Sequence, residues 1–554
     1  MFEFEQYTFE YKYSMMCGDI AGIPFCQLAI IDFVRLARYR HKEIAVASSE
    51  IVDLLVVGGG VNGAGIARDA AGRGLSVLLC EQDDLASHTS SASTKLIHGG
   101  LRYLEHYEFS LVRKALQERE RLLRLAPHII APLRFVMPHV SSLRPAWMIR
   151  AGMFLYDNLA KRELLAGSRA IDFRKHVAGA PLKKTLTKGF VYSDAAVQDA
   201  RLVVLNAMDA KERGATILTK TRLIEAKRGK QYWDTTLQSS LTGETTEIKA
   251  RCIVNAAGPW VASLLSGALH TSAQHQIRLV KGSHIVTKRL FDHDHAYIFQ
   301  NPDKRIVFAI PYETDFTLIG TTDVEYSGDP SKVEISAEET AYLCESVSRY
   351  FEAAVTPSQV VWSYAGVRPL LEEEIANPSA VTRDYRLELK AEEGQAPVLS
   401  VFGGKITTYR RLAEEAMEHL QPLFGYMKAH WTADEALPGG DIANADFAEF
   451  RRIFQQRHAW LPTVLGARYA RAYGTRAARL LAGIHDMAGL GELFGADLYE
   501  AEVRYLMRNE WALTADDILW RRSKLGLRFD AVAVDRLNRW LERQQAPAPA
   551  VMPA

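Results

Sequence analysis

The chain's 554 residues are 48% hydrophobic, enough for two or three domains, and 67 basic against 66 acidic side chains give no reason to expect nucleic acid as a partner. Five cysteines, scattered and never spaced C-x-x-C, argue for a reducing compartment and against a disulfide framework or a zinc site, so no metal is expected. No apolar run approaches the roughly 18 residues of a membrane span, so any membrane contact is made at the surface.

Residues 1–48 are aromatic and acidic at first (MFEFEQYTFEYKYSMM), then apolar over Ile20–Ile31, a stretch interrupted by Pro24 and stopped by Asp32. Glu3, Glu5 and Glu10 are wrong for a transit peptide, and a signal peptide needs its charges in front. The segment reads as an extension dispensable to the fold, such as an early start site would give. A membrane-contacting appendage is the second reading.

Ile51–Val57 is a short run of β-branched residues and leucine, the pattern of a strand buried on both faces. Gly58, Gly60 and Gly63 follow in G-x-G-x-x-G register, with Gly59, Val61 and Asn62 between them, and a helix-like stretch begins at once. One glycine makes the tight turn, one lets backbone approach a pyrophosphate, and one lets the helix lie close on the sheet. The N–H groups at the helix start face the phosphates. A second strand, Ser76–Cys80, ends in Glu81, about 20 residues on, where an acid binds a ribose hydroxyl. Strand, glycines, helix and acid together specify a dinucleotide site.

Ser90, Ser91, Ser93 and Thr94 form a hydroxyl-rich loop suited to hydrogen-bonding a cofactor. His98, Arg102 and Tyr103 follow beside the pair Gly99–Gly100. Histidine and arginine there suit proton transfer and anion binding; a solvated loop is the plainer reading of any one of them. Leu143–Arg162 is apolar on one side and basic at its flanks, either an ordinary amphipathic helix or one lying at a bilayer interface. Cys252–Val254 is a buried strand ending in small residues, Gly258 among them, that let backbone come close to the cofactor.

Residues 278–330 alternate apolar and polar between turn residues, the pattern of a half-buried antiparallel sheet, with Thr321 at its end as a candidate contact to substrate or cofactor. Arg368 and Arg383 flank an acidic loop. Surface salt bridges and bidentate capture of a phosphate dianion are both open to them. FGGKITTY (402–409) puts Gly403 and Gly404 at a strand end, Lys405 beside them, and a helix start at Thr407 and Thr408. The positive end of that helix stabilises negative charge on a bound cofactor. Beyond about Trp431, LPGGDIANADF reads as a linker, followed by helical patterns at Phe447–His458, Ala467–Leu481, Leu498–Asn509 and Ala531–Arg543. These form a cap without chemistry of its own, with a membrane or subunit contact left open; residues 546–554 are disordered by composition.

The runs GGGVNGAGIARDAAGRGLSVLLCE and SSASTKLIHGGLRYLEHYEF resemble the bacterial aerobic, FAD-dependent glycerol-3-phosphate dehydrogenases. Further stretches match in the same order: 143–162, KGSHIV (281–286), 301–312, IGTTDVEYSGDP (319–330), SYAGVRPL (363–370), VTRDY (381–385) and VFGGKITTYRRLAE (401–414). The likeness runs from about Ile51 to the C-terminus.

What the resemblance implies is an α/β protein: a FAD-binding Rossmann-like domain interleaved with an antiparallel-sheet substrate domain, plus a C-terminal helical domain. The expected boundaries are 1–48, 49–430, 431–545 and 546–554, with FAD segments at about 49–125, 190–265 and 360–425. The implied reaction is oxidation of sn-glycerol 3-phosphate to dihydroxyacetone phosphate, with ubiquinone as acceptor, at the cytoplasmic face of the inner membrane; a homodimer stays open. Cofactor contacts are expected from Gly58, Gly59, Gly60, Val61, Asn62, Gly63, Glu81, Ser90, Ser91, Ser93, Gly258, Gly403, Gly404, Lys405 and Thr407. Catalysis falls to His98, Arg102, Arg368 and Lys405, with His98 the first choice of base because its pKa suits proton transfer near neutrality. Arg102, Tyr103, Thr321, Arg368, Arg383 and Lys405 are expected at the substrate. Three alternatives remain: a sister oxidase that reduces oxygen, an amine or amino-acid oxidase on the same fold, and a flavin-holding scaffold without turnover.

Overall fold

Strand Ile51–Val57 lies at the centre of a parallel sheet, which explains why six of its seven residues are buried. It pairs in parallel with Val77–Cys80 on one side and Thr245–Asn255 on the other. Thr216–Leu218 and Val398–Phe402 extend the parallel run outward at either end, and Arg386–Lys390 closes one edge antiparallel. The computed structural model describes residues 51–140, 145–272, 277–371 and 385–545, so the extension 1–48, Arg383 and the tail 546–554 lie outside the described residues.

Helices Val61–Gly72, Asp199–Glu212 and Tyr409–Leu420 share one apolar core on the sheet, to which the first contributes Ala64, Ala67, Ala70 and Ala71. Small residues there decide how close the helices come. A Cβ on Gly65 would lie 2.7 Å from the Tyr409 ring.

The second sheet is antiparallel except where Ala296–Gln300 runs parallel to Ile130–Pro138. Ile277–Lys288, Phe316–Gly320 and Ile306–Tyr312 are neighbours in it, as the alternation at 278–330 predicts. Two boundaries differ from expectation. Lys188–Val197 pairs with Ile130–Pro138, and Val360–Leu371 pairs with Ile277–Lys288, so both belong to this sheet and not to the nucleotide segments. Alternation reveals a strand but not its ladder partner, and the partner decides which sheet it joins.

Helices Phe447–Arg457, Thr463–Tyr473, Glu500–Asn509 and Ala531–Gln545 enclose a separate core, with Leu465, Tyr469, Leu506 and Trp540 among its buried members. This cap is fastened to the body by buried charge. Both Arg522 Nη1 and Nη2 donate to the Asp84 carboxylate at 2.7 Å, and Arg201 pairs with Glu510.

Candidate active site

The glycine turn after the central strand opens a trough between the two sheets. Gly58 sits at φ +115°, and a Cβ on it would lie 2.5 Å from the Ala256 carbonyl oxygen. A Cβ on Gly63 would lie 1.9 Å from the Gly58 carbonyl oxygen. Both positions therefore require glycine. The helix Val61–Gly72 starts from Gly60, which has no side chain of its own to cap it; Ser90 Oγ accepts from Val61 N at 2.9 Å.

Glu81 stands where the sequence puts the ribose acid. Its carboxylate accepts from Gly59 N at 2.6 Å and Asp83 N at 2.8 Å. Burial pushes this carboxyl above the usual carboxylate range, against the pull of those two amides. Glu81, Gly58, Gly60 and Trp260 line a cavity of about 560 Å³ at this end. A second cavity of about 280 Å³ continues it, sharing Gly60, Thr89, Ser90, Ala256, Gly258 and Pro259. The two form one elongated trough.

At the far end the walls are charged. His98, Tyr103, Thr321, Arg368 and Lys405 all line the second cavity, although the sequence spreads them over some three hundred residues. The Lys405 ammonium lies 4.0 Å from the centre of the Tyr103 ring. Arg368 pairs with Asp323 and donates from Nη2 to Thr321 Oγ1 at 3.1 Å. Gly282 leaves room for this guanidinium, since a Cβ there would come within 2.4 Å of it. His98 N donates to Thr407 Oγ1 at 3.2 Å, tying the two loops that face each other across the cavity.

The trough fits a flavin dinucleotide. Asn62 donates from Nδ2 to the Gly403 carbonyl at 3.1 Å, while its buried Oδ1 has no partner among the described residues and lines the cavity. Gly403 and Gly404, at φ +74° and +100°, bring bare backbone to the same wall. An acceptor left unpaired beside open backbone is what a ring with its own N–H and C=O groups would satisfy.

A family model described as FAD dependent oxidoreductase matches residues 53–410, and one described as the C-terminal domain of alpha-glycerophosphate oxidase matches 430–542. The glycerol-3-phosphate dehydrogenase of Pseudomonas aeruginosa is 56% identical over 503 residues, covering 91% of this chain and 97% of the relative. This chain belongs to the FAD-dependent glycerol-3-phosphate dehydrogenase family. The D-erythritol 1-phosphate dehydrogenase of Brucella abortus is 52% identical, over 86% of this chain and 95% of the relative. The solved glycerol-3-phosphate dehydrogenase of Bacillus halodurans complexed with FAD is similar at a TM-score of 0.74 and 27% identity, covering 91% of this chain and 93% of that one. The chain is an FAD-dependent oxidoreductase.

Not every expected residue reaches the trough. Arg102 is absent from its lining while its neighbour Tyr103 is present, because successive residues of the 3-10 turn Leu101–His106 point about a third of a turn apart. Ser91 turns back to donate to the His88 carbonyl at 3.2 Å and lines a separate cleft under the cap. Gly59 and Gly63 act by close packing behind the trough wall. Val61, Asn62, Ser90, Ser93, Gly258, Gly403, Gly404 and Thr407 all line it.

Sequence reading missed three contributors. Asp323, the partner of Arg368, stands in GTTD two residues after Thr321. His284 stacks on Tyr364 with centroids 4.8 Å apart and hydrogen-bonds Thr94 at 3.0 Å. Burial, with Arg368 and Lys95 nearby, holds its imidazole well below the usual range and so neutral. His88 meets Asp83 at 2.9 Å and packs edge-on to Trp260 beside the nucleotide end. A histidine in a buried strand, as in KGSHIV, was the available signal for the second of these.

Proposed function

We propose that this enzyme oxidises the secondary alcohol of sn-glycerol 3-phosphate to dihydroxyacetone phosphate. The observation that carries the reading is the convergence of His98, Lys405, Arg368, Tyr103 and Thr321 on one cavity at the end of the FAD trough. FAD, when bound, supplies the two-electron acceptor for the C2–H hydride. His98 takes the C2 hydroxyl proton. Lys405 faces the oxygen as negative charge develops there, and its ammonium stabilises that charge more in the transition state than in the alcohol. Arg368, held in place by Asp323, binds the phosphate through its planar fork, and Arg383 is assigned to the same group by the family likeness. Phosphate binding far from C2 fixes the orientation of the reacting carbon. Arg102 takes no part in this scheme.

The electrons leave to a membrane quinone. Helix Ala146–Asn158 supports a membrane-surface site: Trp147 is 70% and Phe154 68% exposed, with Met148 and Leu155 also exposed, and Arg150, Lys161 and Arg162 close by in sequence. No helix among the described residues is long and apolar enough to cross a membrane.

The test is anaerobic. sn-Glycerol 3-phosphate added to the FAD-loaded enzyme bleaches the visible flavin band, and a soluble quinone restores it faster than oxygen does. D-erythritol 1-phosphate run beside it bleaches the band more slowly. A spectrum that stays yellow with glycerol 3-phosphate would sink the substrate assignment. Recovery as fast with oxygen would make the protein an oxidase.

A further inference from the structure

A cavity of about 790 Å³ lies between cap and body, away from the trough. Its body wall is Lys95, Asp199 and the hairpin turn 312–315; its cap wall comes from helices Phe447–Arg457 and Thr463–Tyr473 and from residues 521–528. Nine lysine and arginine side chains line it against four carboxylates.

Most of that charge is matched. Lys95 pairs with Asp199 at 2.8 Å, Arg528 with Asp315 at 2.7 Å, and Arg468 with Glu502 and Asp497 at 2.6 and 2.8 Å. Arg521 and Arg522 hold Asp84, and Arg201 holds Glu510. Arg451, Arg471 and Lys524 have no ion pair with any described residue, and Glu313 is the one lining carboxylate without one. Arg451 is exposed, so the inner unmatched cations are Arg471 and Lys524, the latter donating to the Trp520 carbonyl, and they face the one unmatched carboxylate, Glu313. Burial disfavours both inner cations, lowering Arg471 and bringing the Lys524 ammonium to about 7. Tyr312, only 8% exposed, lines the same cavity, and its buried hydroxyl has no hydrogen-bond partner among the described residues.

A half-buried guanidinium without an ion pair, Arg471, and an orphaned buried hydroxyl are costly unless a ligand completes them. A cavity with Arg471 and Lys524 inside, the exposed Arg451 fork also on its lining and a hydroxyl donor beside them suits a phosphate group in donor geometry. We propose that this cavity is a second anion site, distinct from the catalytic one, which takes a phosphate group, inorganic or borne by a small ester, between cap and body. Glu313 opposes that binding, because it is the one unmatched carboxylate facing the same space. The site is one residue removed from the active-site loop: Ser93 Oγ and Lys95 Nζ donate to the same Asp199 oxygen, each at 2.8 Å, and Ser93 lines the trough.

Equilibrium dialysis of the FAD-loaded enzyme against radiolabelled inorganic phosphate, at constant ionic strength, tests this. Two classes of site per chain are expected. Arg471→Ala weakens one class roughly tenfold or more, the range for losing a charge-assisted hydrogen bond, and leaves the other. Glu313→Gln tightens that same class, so a variant that folds poorly cannot mimic both results. Unlabelled glycerol 3-phosphate displacing label from this class assigns it to the ester, and failure to displace assigns it to free phosphate. A single class in the wild type overturns the proposal, as does a second class that neither variant moves or that either moves in the wrong direction.

Discussion

At its nucleotide end the trough is walled by backbone, and at its substrate end by charged side chains. Gly63 and the amides that hold Glu81 belong to one continuous stretch of chain whose contacts are set by how closely it folds on itself, with Ala256 packed against its Gly58 from the neighbouring strand end. His98, Thr321, Arg368 and Lys405 come from separate segments, and nothing but the two sheets brings them together. The first end recognises a shape common to many nucleotides. The second selects a charge pattern, and it is where one family member can differ from another. The contrast predicts that changes at the two ends fail differently: one loses the flavin, the other keeps it and loses turnover.

The largest effect belongs to Gly63→Ala. Its methyl group would sit 1.9 Å from a backbone oxygen that cannot move aside, so the purified protein carries no flavin band. A yellow protein with normal flavin content would show that the turn tolerates a side chain. Next comes Lys405→Met, which keeps the flavin spectrum while kcat/KM falls by roughly 10²–10³-fold, the usual size for removing one group that stabilises a developing oxyanion. Loss of flavin from this variant would blur the contrast, because Lys405 would then be holding cofactor and not substrate.

Glu81→Gln turns an acceptor into a partial donor facing the Gly59 and Asp83 amides, which costs about 1–3 kcal/mol in paired hydrogen bonds. FAD affinity measured by fluorescence quenching drops accordingly, while kcat at saturating FAD stays put; a lowered kcat would place Glu81 in the chemistry. The smallest effect is Thr321→Val. It removes the acceptor of the Arg368 Nη2 donation and costs about 1 kcal/mol, seen as a severalfold rise in KM with kcat held. An unchanged KM would mean that Asp323 alone positions Arg368.

The likeness of sequence and structure is uneven for the same reason. The central strand, the glycine turn and the acid at the next strand end are local, so periodicity and spacing locate all three. The cap helices follow their apolar pattern, with Phe447–Arg457 and Ala531–Gln545 close to expectation. The run expected as one helix at Ala467–Leu481 is instead broken at Gly474, which sits at φ +51° where a Cβ would strike the Gly439 carbonyl. Residues 188–197 and 360–371 were expected within the FAD segments, and only their ladder partners place them in the second sheet.

By itself the sequence determined that this protein binds a dinucleotide, because strand, turn and acid lie within one short span and each residue type there is dictated by backbone geometry. Charge balance and cysteine spacing likewise needed no fold to be read. Only the tertiary structure decided that Tyr103 and not Arg102 faces the cavity, that Asp323 holds Arg368, and that Arg471 and Lys524 line one cavity between cap and body without an ion pair among the described residues. Those are relations between segments far apart in the chain, set by which strand pairs with which and by the angle at which a side chain leaves its turn. Residue order carries no local signal for either.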